Sequence, residues 1–177
     1  MYHIKNDKRC IRSAESIMHA LEQLMGRKAF MDITVTDIQK TAGIGRSTFY
    51  RLFDTIDDVV TYMVDREFDE IVCGYNSMNM YDFTVSCLRG VIERGDVLIN
   101  ILSSERADLI TGSLRDNLRR AAEEGGEPDA TGLQYRFAVF ASACMSVIRV
   151  WDENGRKETV EELAGYLHKY LDFNALA

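Results

Sequence analysis

The chain has 177 residues, 46% of them hydrophobic and 28% charged, with four cysteines and a formal net charge of −7. Such a composition excludes a disordered or collagen-like chain and allows a sizeable core in one or two domains. No apolar run is long enough to span a bilayer and MYHIKNDKRC has no signal-peptide core, so a cytoplasmic protein away from membranes is expected.

The overall acidity hides an asymmetry. Residues 1–53 carry nine Lys/Arg against five Asp/Glu, or +4; residues 54–177 carry twelve against twenty-three, or −11. A basic head on an acidic body suits a protein whose head meets phosphate. A single proline and the lack of alternating apolar-polar runs predict an all-α protein of about nine helices.

Asn6 or Asp7 can start a first helix that runs to about Met25, with Ile11, Ala14, Met18 and Leu21 on one face. Thr34 then sits three residues before Asp37, the spacing of a capping box. Val35, Ile38 and Ala42 form one apolar stripe, and Gly43 suits the left-handed residue that ends a helix. Gly45, Arg46, Ser47 and Thr48 open the next helix with small or basic groups, and Phe49 and Phe53 anchor it. Helix, tight turn and polar-headed helix together predict a helix-turn-helix, which lays its second helix in the DNA major groove. Arg46, Ser47 and Thr48 are the candidates for reading bases. Thr34, Lys40, Tyr50 and Arg51 are the candidates for holding phosphates, and Gly45 lets the backbone approach.

Residues 8–60 resemble the N-terminal domain of the tetracycline-repressor (TetR) family of bacterial regulators. The resemblance rests on Gly26 and Phe30, Ile33-Thr34-Val35, Ile38, Ala42-Gly43-Ile44, Ser47-Thr48-Phe49-Tyr50 and Phe53. It implies a DNA-binding domain at 1–55 and a helical regulatory and dimerisation domain at 56–177. It further implies a homodimer, most simply a repressor, released from a pseudo-palindromic operator by a small-molecule effector. Two departures stand out. Leu52 occupies a position that is often basic in the family, and Ile56, followed by Asp57 and Asp58, occupies one that is often Lys. They keep alive a second reading, a helical dimer of the same fold that has lost DNA binding and acts through small molecules or proteins.

Downstream, a long fourth helix is expected from about Asp57 to Asn76, with Val60, Val64, Phe68 and Ile71 in line. Asp82 is expected to cap a fifth helix ending near Gly95, and Asp96 begins a sixth. A seventh spans roughly Arg106 to Glu124, and Gly125-Gly126-Glu127-Pro128 breaks the pattern. The eighth helix, Thr131 to Asp152, is apolar around most of its circumference; the last runs from about Glu158 to Tyr170.

These last two helices are the expected four-helix dimer seam, through Ala138, Ala141, Ser142, Val147, Trp151, Leu163, Leu167 and Tyr170. A dimer places two heads about 34–36 Å apart, in register with successive major grooves. Met63, Tyr75, Met78, Tyr81, Phe83, Cys87, Tyr135 and Met145 are the candidates for an adaptable effector pocket. Cys10, Cys73, Cys87 and Cys144 have no paired metal spacing and read as buried thiols, with redox sensing the alternative. His3, His19 and His168 are scattered, and no phosphate-cradling glycine loop is present. Neither a catalytic group, a metal site nor a cofactor is expected.

Overall fold

The computed structural model describes residues 1–4, 7–72, 78–126 and 130–171. Among them are nine α-helices and no strand longer than an isolated bridge between Tyr2 and Phe53. The expected all-α class holds. The chain divides into two compact units, Met1–Met63 and Val64–Ala177.

In the first unit, α1 (Lys8–Met25) packs against α2 (Val35–Ala42) and α3 (Arg46–Leu52). Asp7 caps α1, its carboxylate accepting from the amides of Arg9 and Cys10 at 2.9 Å each. Ala14, Ile17 and Leu21 of α1 meet a core that includes Ile38, Phe49, Leu52 and Phe53, all fully buried. The Phe49 and Phe53 rings lie 6.0 Å apart, and Phe53 leans on Tyr62 at 5.8 Å. A short 3-10 turn at Phe30–Asp32, which the sequence pattern does not announce, carries the chain from α1 to α2.

α4 (Ile56–Val72) begins in the first unit and runs on into the second. Asp58, one of the acids at its start, accepts the amides of Asp54 and Thr55 at 3.0 Å each. Asn76, the expected end of α4, lies outside the described residues, as do Asn6, Cys73, Tyr75 and Pro128.

The second unit adds α5 (Met80–Glu93), α6 (Asp96–Leu102), α7 (Ala107–Glu124), α8 (Ala130–Glu153) and α9 (Val160–Tyr170). One expected cap is corrected. Asn79, not Asp82, caps α5: its side chain accepts the Asp82 amide at 2.9 Å and donates to the Asp82 carboxylate at 2.7 Å. The two residues have similar capping chemistry three positions apart, so spacing alone did not choose between them. α8 packs on α5, α6, α7 and α9, which accounts for its apolar circumference. Phe83 stacks on Phe140 at 5.7 Å between α5 and α8. No helix among the described residues is long and apolar enough to cross a membrane.

Candidate nucleic-acid interface

The start of α2 is locked by a four-residue loop of hydrogen bonds. Thr34 is extended, at φ −108° and ψ 157°, and its Oγ1 accepts the Asp37 amide at 3.2 Å. In return the Asp37 carboxylate accepts the Thr34 amide at 2.9 Å and the Thr34 hydroxyl at 2.6 Å. Lys28 completes the loop, donating to Asp37 at 2.7 Å and to the Asp32 carbonyl at 2.9 Å. The Lys28 ammonium and then Thr34 hold the Asp37 carboxyl well below the usual carboxylate range. Nothing in the sequence marks Lys28, which stands nine positions before its partner. The same geometry directs both Thr34 protons at Asp37, so a phosphate contact from Thr34 must compete with its cap.

The turn follows from one residue. Gly43 takes φ 65° and ψ 32°, the left-handed region that a β-carbon disfavours. The Ile44 amide then folds back onto the Gln39 carbonyl at 3.1 Å. Gly45 returns to extended geometry and starts α3 without a side-chain cap; its carbonyl receives the amides of Thr48 and Phe49.

α3 is divided cleanly between two faces. Phe49 and Leu52 are fully buried and fix it to the first unit. Arg46, Ser47, Tyr50 and Arg51 are exposed, and Thr48 is half-buried beside them. Positions 46, 47, 50 and 51 share one helical face. Lys40, in the last turn of α2, is exposed as well. The structure therefore gathers Gly45, Arg46, Ser47, Tyr50 and Arg51 on an open surface with two guanidinium groups and two hydroxyls. An acidic patch is also present in this unit. Asp54 pairs with His3 at 3.1 Å and with the Met1 amine at 3.3 Å, and Asp58 takes the same amine at 2.6 Å.

The residues expected to line an effector pocket are not brought together as a group. Phe83, Cys87 and Met145 are core residues of the second unit, and Met63 is fully buried in the first. Tyr135 is 68% exposed, and Met78 and Tyr81 are also exposed. Tyr81 donates to the Glu161 carbonyl at 3.2 Å. Tyr75 lies outside the described residues.

Of the expected dimer seam, Ala141, Trp151, Leu163 and Leu167 turn into the core of their own unit, and Ala138 and Val147 are half-buried. Ser142 and Tyr170 do face outward. The outer face of α8 is drawn instead from Tyr135, Val139, Ser142, Ser146 and Val150, with Tyr166 and Tyr170 exposed on α9. A helix that is apolar nearly all round gives no periodic clue to which side is out. Beside this face lies a groove of about 350 Å³, lined by Ser146, Val147, Val150, Trp151, Asn154, Glu158, Leu163 and Tyr166. The Trp151 indole donates to the Glu158 carbonyl at 2.9 Å across its floor.

No protein-family model matches the chain. A helix-turn-helix activator of the dhaKLM operon, DhaS from Lactococcus lactis, is 33% identical over 67 residues, 38% of this chain and 36% of that protein's length. Among solved structures, a TetR transcriptional regulator from Streptococcus agalactiae superimposes with a TM-score of 0.64 at 21% identity, covering 90% of this chain and 93% of its own. Lin0861 from Listeria innocua gives 0.79 at 16%, covering 97% and 95%. Thermus thermophilus FadR, a TetR-family repressor solved with lauroyl-CoA, gives 0.60 at 16%, covering 88% and 91%. Nine helices, a capped helix-turn-helix and this set of structural relatives agree: the chain has the all-α fold of the TetR-family transcriptional regulators.

Proposed function

We propose that the chain is a cytoplasmic, homodimeric DNA-binding transcription regulator without catalytic activity. In this reading it represses from a pseudo-palindromic operator and is released by a small-molecule effector. Residues 1–55 serve as the DNA-binding domain and 56–177 as the regulatory and dimerisation domain. The observation that carries the reading is the open face of α3, where Arg46, Ser47, Tyr50 and Arg51 point away from a helix anchored by Phe49 and Leu52. Arg46, Ser47 and Thr48 are assigned to base edges. Lys40, Tyr50 and Arg51 are assigned to phosphates, with Thr34 at the edge of the contact and Gly45 allowing close approach. A repressor and an activator among the neighbours both support regulation, and repression is the sign we assign.

Dimerisation is assigned to the outer face of α8 and α9, where Tyr135, Val150 and Tyr170 are 68%, 54% and 71% exposed. Exposed apolar side chains aligned along one helix face favour a second copy over water. Glu158 Oε2 lies buried beside that face without a donor among the described residues, and a second subunit is the natural source of one.

The test is a salt titration of the intact protein on duplex DNA selected from a random pool. A phosphate binder weakens steeply and log-linearly as salt rises. Absence of any enriched sequence, with flat salt dependence, removes the proposal. It then favours the second reading, a dimer of this fold that no longer binds DNA. Leu52, fully buried, and Ile56, half-buried, support that alternative, because neither offers a charge where the family often has one.

A further inference from the structure

Between the second half of α4 and the end of α7 the second unit holds a cavity of about 550 Å³. That is within the range of small-molecule sites. Asp69 and Val72 line it from α4; Asn117, Arg120, Ala121 and Glu124 line it from α7. None of these belongs to the aromatic and methionine set that the sequence suggested.

The polar groups of this cavity are unbalanced. Asn117 is 2% exposed. Its Nδ2 donates to Asp65 Oδ1 at 2.8 Å and to the Ser113 carbonyl at 2.9 Å, which fixes the orientation of the amide. Its Oδ1 then receives no donor among the described residues, although the side chain lines an open volume. A buried acceptor without a donor is costly unless something in the cavity satisfies it.

The charges tilt the same way. Asp69 and Glu124 bring two carboxylates, and Arg120 is the only cation in the lining among the described residues. Arg120 sits 3.7 Å from Asp69, too long for a hydrogen bond. Desolvation raises the Asp69 carboxyl above its ordinary value; Arg120 opposes this, while Asp65 and Glu124 add to it. The cavity also adjoins the C-terminal turn of α7, where unpaired carbonyls carry partial negative charge. Val72 and Ala121 supply an apolar wall.

The geometry points to a binding site for a protonated organic amine with a compact apolar body, its N–H groups shared among Asn117 Oδ1, Asp69 and Glu124. An ammonium brings several donors and a positive charge to a lining rich in acceptors. An anion would meet Arg120 alone and be repelled by both carboxylates. Amine binding itself does not depend on DNA; only the step from occupancy to altered operator affinity rests on the regulatory reading above.

The test uses the intact protein, titrated by calorimetry without DNA. Three probes share one aromatic body: 2-phenylethylamine, its neutral N-acetyl derivative and 3-phenylpropanoate. The amine is expected to bind at least roughly tenfold more tightly than either of the others, the factor that one charge-assisted hydrogen bond supplies. Glu124→Gln, on an exposed side chain, should weaken the amine several-fold while leaving the circular dichroism spectrum unchanged. Arg120→Gln should tighten it, because the competing cation is gone. The proposal is overturned if no probe binds at millimolar concentration. It is equally overturned if the propanoate matches the amine, or if Arg120→Gln weakens the amine in a folded protein. Because DNA is absent, failure here leaves the DNA-binding reading standing, and failure of that reading leaves this result standing.

Discussion

The Arg46 guanidinium carbon sits 5.6 Å from the centre of the Tyr50 ring, one helical turn along α3. The ring restrains a long cation that would otherwise sample many rotamers, and both groups stay on the open face. Arg46→Ala is expected to weaken binding to a selected duplex by about 1–3 kcal/mol and to relax preference at one or two base pairs. Tyr50→Phe keeps the ring and should cost less than Tyr50→Ala. Anisotropy titrations on matched and single-mismatch duplexes check this; unchanged affinity and preference in Arg46→Ala would remove the base-reading role.

The Lys28–Asp37–Thr34 loop makes a prediction about acid. Because the Asp37 carboxyl is held low in the folded chain, its stabilisation is complete above the unfolded value and is lost as pH falls. Asp37→Asn should therefore lower the urea midpoint at neutral pH, and the gap to the parent should shrink below about pH 4. Thr34→Ala should cost about 1 kcal/mol through the lost cap. A gap that widens in acid would contradict the arrangement.

The outer face of α8 predicts an assembly phenotype. Val139 and Val150 are 47% and 54% exposed, so a carboxylate at either is tolerated by the isolated subunit. Val150→Glu places two like charges near a two-fold contact and should shift sedimentation towards monomer without loss of helical signal. Unaltered dimer mass in both Val139→Glu and Val150→Glu would move the interface elsewhere.

Cys87 and Cys144 are fully buried on α5 and α8. Burial pushes both thiols up from their ordinary values, and for Cys87 the neighbouring Cys144 adds to it. The thiolate is the reactive form, so both should resist alkylation at neutral pH until the protein unfolds. Peptide mapping after native and denaturing alkylation checks this, and rapid native labelling of either would reopen redox sensing.

Local chemistry was the legible part. Asp7, Thr34–Asp37 and Gly43 each act within a few residues of their own position, so spacing was enough to place the caps and the turn. Lys28 escaped notice because its partner is reached only after the 3-10 turn folds it back. The outward side of α8 was illegible because packing against several neighbours made almost every position apolar. The cavity was missed for the opposite reason. Its α7 wall is mainly polar and charged, at 117, 120 and 124, and reads as an ordinary solvated helix face until α4 is seen across from it.

Trp151 is the chain's single tryptophan and forms part of the groove wall beside the outer face of α8. Its emission colour consequently reports on hydration at one spot, with no competing indole. Dilution that separates subunits should redden that light, so the strength of self-association can be followed optically in unlabelled material.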